Sequence, residues 1–168
     1  SIFLSQLQYI VGKENFDRSL KKYFDDWAFK HPKPNDFIRS VEKVSGLELD
    51  WYLLDWTQST MTIDYSLNSL YGVDNKTKVI LKRIGQMGMP IDLRVHLISG
   101  EVIDYNIPMT KMRGSKPLKK FTLLDSWSWA KPYYEFWIDV DSKEISKIEI
   151  DPKGELADIN KDNNYLLL

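Results

Sequence analysis

The chain reads as an α+β protein with its helices first and its strands second. Apolar residues recur with a period of about 3.6 over the first third and alternate with polar ones after about Thr60. A Pro-rich break at His31-Pro32-Lys33-Pro34 and single glycines at Gly12 and Gly46 cut the helical part into four short pieces. The strand-rich part contains tight-turn pairs and short alternating runs, the pattern of an antiparallel sandwich.

The elements follow in order. Phe3, Leu4, Leu7, Ile10 and Val11 form the stripe of a first helix, and Gly12 can take the left-handed conformation that stops it. Phe16, Leu20, Tyr23, Phe24 and Trp27 lie at i, i+4, i+7, i+8 and i+11 on one face of a second helix, with Lys21, Lys22, Asp25 and Asp26 opposite. These two helices are expected to form a hairpin. After the Pro-rich break, Asn35 is the expected cap of a third helix through Phe37, Ile38, Val41 and Val44, closed by Gly46. Asp50 is the expected cap of a fourth, which carries Trp51, Leu54 and Trp56, and Trp27, Trp51 and Trp56 should point mainly inward.

Strands are predicted near 62–70, 77–84, 91–98, 101–107, 120–124, 133–140 and 144–150. Ser99-Gly100 and Asp141-Ser142 are tight-turn pairs, and Met109 to Lys119, with Gly114 and Pro117, reads as a longer loop. The domain boundary implied by the change of period divides the chain into residues 1–60 and 61–168.

Composition narrows the function. Lys plus Arg (23) nearly cancels Asp plus Glu (24), so the chain has no basic field to attract nucleic acid. No apolar run approaches the ~20 residues of a membrane span. Cysteine is absent, which excludes disulfides, thiolate metal sites and a cysteine nucleophile but leaves cytoplasmic and extracytoplasmic locations both open. The start Ser1-Ile2-Phe3-Leu4 has no signal-peptide pattern and enters directly into a helix, which suggests a cut fragment.

Candidate sites are few. A zinc helix of the H-E-x-x-H type needs histidines at i and i+4 so that both reach one metal. The two histidines here, His31 in His-Pro-Lys-Pro and His96 in Val-His-Leu-Ile, have no partner at that spacing and read as a turn residue and a polar strand residue. No phosphate-cradling glycine loop and no G-x-S-x-G elbow is present. The run Asp158-x-Asn160-x-Asp162-Asn163-Asn164 has the alternating oxygens that start a calcium loop, but it lacks the glycine and the closing glutamate of such loops. A capped turn is the expectation there. Trp127, Trp129 and Trp137 with Tyr133 and Tyr134 form an aromatic concentration, read either as core packing or as a platform for sugars or peptides.

Gly12, Phe16, Tyr23, the His31-Pro32 break, Asp36-Phe37, Ser45-Gly46, Leu49-Asp50-Trp51 and Trp56 resemble, in this order, the stretch that follows the active site in the aminopeptidase N family of zinc metallopeptidases. The later part, with Asp64-Tyr65 at its start and Met89-Pro90-Ile91 entering a middle strand, resembles the immunoglobulin-like β-sandwich domain that follows the catalytic domain. The resemblance implies that residues 1–60 are the last helices of a thermolysin-like domain and that 61–168 is the sandwich. It implies a parent hydrolase that releases N-terminal residues from peptides, with its zinc ligands, general base and transition-state tyrosine all upstream. Tyr9 is out of register with that tyrosine. No catalytic, cofactor-binding or metal-binding residue is therefore assigned here, zinc belongs to the parent, and the fragment alone is expected to be inactive. Its expected partners are the upstream catalytic domain and, for the isolated fragment, a second copy. The surface offered to them is a stripe widened by Ile2, Leu4 and Val11.

Overall fold

A computed structural model of the protein describes residues 2–117 and 119–168. Ser1, at the head of the predicted first helix, and Leu118, within the predicted 109–119 loop, lie outside the described residues. Among the described residues the chain is α+β, with four α-helices followed by eight strands: α1 (Ile2–Val11), α2 (Lys13–Trp27), α3 (Pro34–Ser45), α4 (Asp50–Gln58), β1 (Tyr65–Val73), β2 (Lys76–Arg83), β3 (Ile91–Leu97), β4 (Val102–Ile107), β5 (Phe121–Leu123), β6 (Tyr133–Ile138), β7 (Ile145–Ile150) and β8 (Tyr165–Leu167).

The strands form two sheets, ordered β1-β2-β6 and β5-β4-β3-β7-β8. Every pairing is antiparallel except β4 with β5, so the second sheet is mixed rather than purely antiparallel as the alternation predicts. The cause is the long connection from 108 to 120, since a crossover of about a dozen residues is what a parallel pair needs. β8 was not foreseen: a polar tract precedes it, and only its pairing to β7 makes it a strand. Val79, Leu81, Phe136 and Ile138 of the first sheet face Leu93, Val95, Tyr105 and Ile148 of the second, with Tyr105 and Phe136 in ring contact at 5.5 Å. The buried residues of helices and sheets belong to one hydrophobic cluster.

α1 is buried on more than its apolar stripe, because Gln6, Leu7, Tyr9, Ile10 and Val11 are all enclosed. The Gln6 amide satisfies both of its ends on the C-terminal segment, donating to Glu155 O (2.8 Å) and accepting from Ala157 N–H (3.1 Å). Tyr52 of α4 donates to Phe3 O (2.5 Å). Gly12, at φ 82°, turns the chain into α2 within one residue. A single residue is too short for two helices to lie back to back, so the expected α1–α2 hairpin does not form, and α2 packs instead on α3, with Tyr23 edge-on to Phe37 at 5.1 Å.

The buried face of α2 is Asn15, Phe16 and Ser19, whereas Leu20 and Phe24 of the predicted stripe are 40% and 70% exposed. Trp51 is buried and donates to Glu48 O (2.8 Å), while Trp27 and Trp56 are only half-buried. Two caps also differ from expectation. Pro34 takes the first position of α3, where its missing N–H costs nothing, which makes Lys33 rather than Asn35 the cap; Asp36 accepts from the Lys33 N–H (2.8 Å). Asp50 is the first residue of α4, where its charge suits the helix dipole, and Leu49 precedes it as cap. Gly46, at φ 72°, closes α3 with its N–H on Glu42 O (2.8 Å).

Val11 therefore belongs to the core and not to an outer stripe, while Leu4 is 39% exposed and Val11 fully buried. Val11→Asp should cost several kcal/mol, on the scale of about 3–5 kcal/mol for an unpaired buried charge, and leave the chain unfolded in urea titrations. Leu4→Asp should leave the transition midpoint almost unchanged.

Candidate functional site

The sequence-derived candidates do not converge. His31 is exposed in the turn between α2 and α3. His96 projects from the polar side of β3, where its Nε2 lies 2.7 Å from Glu149 Oε1, and Lys147 contacts the other oxygen of the same carboxylate. Burial pushes the Glu149 carboxyl up, but the hydrogen bonds from Lys147 and His96 outweigh it and hold it below its ordinary value of 4.5. Beside it Arg94 grips Asp104 with two bonds of 2.6 and 2.8 Å.

Asp158 turns inward and accepts the N–H groups of Tyr65 (2.9 Å) and Asn160 (2.8 Å), while Asn160 and Asp162 face solvent. Its carboxylate thus latches the C-terminal segment to the start of β1, and burial raises its pKa. Among the described residues no three His, Asp or Glu side chains are grouped as metal ligands, and no helix is long and apolar enough to cross a membrane.

The aromatic concentration divides. Trp127 is buried against Tyr65 (5.4 Å) and Tyr134 (5.3 Å), and its indole N–H donates to Lys131 O (2.7 Å). Tyr133 and Trp137 share the outer face of β6, and Trp129 stands apart beside Lys111. Lys82 and Lys78 lie over the two β6 rings at 5.6 and 5.9 Å. The five residues do not form one platform.

What the fold does assemble is a cleft of ≈ 710 Å³ between the α1–α2 elbow and the loops of the second sheet. Its floor is a buried network. Lys116 Nζ lies 2.6 Å from Asp92 Oδ2, 3.3 Å from Tyr9 O and 4.4 Å over the Tyr9 ring. Asn106 donates to Asp92 Oδ1 (2.8 Å), and the Tyr9 hydroxyl accepts the Asp92 N–H (3.0 Å). Burial, then the Asp92 charge, drives the Tyr9 hydroxyl well above its usual pKa, so it stays protonated. These four residues escape sequence reasoning. Asp92 occupies an ordinary polar position of the β3 alternation, and no local signal shows that a loop lysine 24 positions away will reach it.

No family model matches the chain, and no curated protein does. Among solved structures it is similar to a crystal structure of Legionella pneumophila aminopeptidase A in complex with aspartic acid, with a TM-score of 0.52 and 21% identity. The likeness covers 89% of this chain and 15% of that one. It shows the fold: the four helices and two sheets are arranged as in a part of that aminopeptidase.

Removing one partner of the floor network should be worse than removing both. Lys116→Met strands the Asp92 charge, at a cost of about 3–5 kcal/mol, and adding Asp92→Asn should recover much of that loss in urea titrations. On the open side of the sheet, the lowered Glu149 pKa means that its contribution to stability is present above 4.5 and is lost as pH falls through the folded-state value. Glu149→Gln should flatten that acid limb of the stability curve.

Proposed function

We propose that this chain is the non-catalytic C-terminal portion of a zinc-dependent aminopeptidase, in which residues 1–60 are the last helices of a thermolysin-like catalytic domain and 61–168 an immunoglobulin-like sandwich that buttresses it. The observation that carries the reading is a fold likeness spanning nearly all of this chain but only 15% of an aminopeptidase. The ordered landmarks from Gly12 to Trp56 support it independently. In such a parent, zinc would polarise the scissile carbonyl and activate water, with the protein groups for that chemistry lying outside this chain.

The helical surface supports a lost neighbour. Leu20 and Phe24 stand one turn apart on the outer face of α2, and Phe29 just beyond its end is fully exposed. Exposed apolar side chains grouped in this way usually mark an interface. On this reading α2, rather than the stripe of α1, is the surface that meets the catalytic half.

The coding sequence upstream of Ser1 tests the assignment, because an H-E-x-x-H motif followed by a glutamate one helix later is required and its absence would overturn it. The isolated chain should hydrolyse no aminoacyl reporter substrate with or without zinc, and chelator-sensitive turnover would contradict that. Co-expressed with its upstream half, the chain should be retained in a pull-down, and Phe24→Asp should abolish retention without lowering its own melting temperature.

A further inference from the structure

The cleft between the α1–α2 elbow and the second sheet is lined by charges of both signs. On the sheet side Lys119 and Lys153 have no acidic partner within 4 Å among the described residues, and Lys116 beneath them is committed to Asp92. On the helix side Glu14 has no basic partner among the described residues, and Asp17 is held by an exposed pairing with Lys13. Glu155, also on the sheet side, is likewise unpaired among the described residues. Between them stands the Phe121 ring, and the Gln8 amide, which has no hydrogen-bond partner among the described residues, offers a donor and an acceptor. The volume of ≈ 710 Å³ falls within the ~300–1,000 Å³ range of ligand sites and exceeds what one amino acid fills.

We propose that this cleft binds a short peptide with free termini. Its carboxylate lies between Lys119 and Lys153, its ammonium meets Glu14 and Asp17, a peptide group pairs with Gln8, and a side chain rests on Phe121. The unpaired charges, Lys119 and Lys153 against Glu14 and Glu155, suit a ligand that carries both charges better than a simple anion or an uncharged one. The inference rests on the cleft alone and stands whether or not the chain derives from a peptidase.

The test is an isothermal and NMR titration of the full chain with Ala-Phe-Ala, its C-terminal amide, its N-acetyl form and sodium acetate. The free tripeptide should bind saturably and shift the amides of Gly12, Phe121 and Lys153, with amidation weakening it at least tenfold and acetate binding far more weakly. Lys119→Ala with Lys153→Ala should weaken it to the same degree, and Glu14→Gln should remove most of the penalty for N-acetylation. These side chains are exposed, so an unchanged melting temperature should show the fold intact. Equal affinity for the free and amidated peptides, acetate binding as well as the tripeptide, or no saturable binding at millimolar concentration would each overturn the proposal.

Discussion

The ion pair of Asp92 and Lys116, closed over by Tyr9, decides how the helices sit on the sheets. It joins β3, the crossover segment and α1 at one buried point, with side-chain exposures of only 6% and 13% for the two charges. Burying charges is costly, and such a pair holds only when its remaining valences are filled. Here Asn106 takes the second carboxylate oxygen, while the Tyr9 carbonyl and ring take the ammonium. The same contact brings the crossover across the elbow, where Pro117 and Lys116 pass within van der Waals reach of a Cβ at Gly12. The cleft is the space left in front of that crossing. Of its rim charges, Lys119 is placed by where the crossover lands.

The two faces of the helical part follow from this docking. α1 gives its apolar stripe and Tyr9 to the core and Gln6 to the C-terminal segment, so most of its apolar face is already covered. α2 leaves the elbow at an angle set by Gly12, packs chiefly on α3, and turns Leu20 and Phe24 outward. The helix that reads most clearly as core by its period is thus the one with an uncovered apolar face. A periodic stripe says that a helix wants a neighbour; it does not say that the neighbour belongs to the same chain.

Much of the fold was legible because period and punctuation are local. Gly12 and Gly46 mark real helix ends, the Pro-rich break separates α2 from α3, and the alternation of Ile91, Leu93 and Val95 predicts β3 with its inner face. What failed depends on contacts distant in sequence. The parallel β4–β5 pair exists because the crossover is long, and β8 exists because β7 offers it an edge. The cleft was not legible for the same reason. Its residues come from α1, α2, β3, the crossover, β5 and the turn after β7, and each alone looks like ordinary surface or strand patterning.

The Asp92–Lys116 pair fastens α1 to the core formed by the two sheets. Native-state hydrogen exchange measures this directly by comparing the Ile10 and Val11 amides of α1 with those of Leu93 and Val95 in β3. If the clamp ties them into one cooperative unit, the two sets should exchange with the same protection, and both should lose it together in Lys116→Met. Exchange of the α1 amides through a separate opening of much lower free energy, with β3 still protected, would contradict the account.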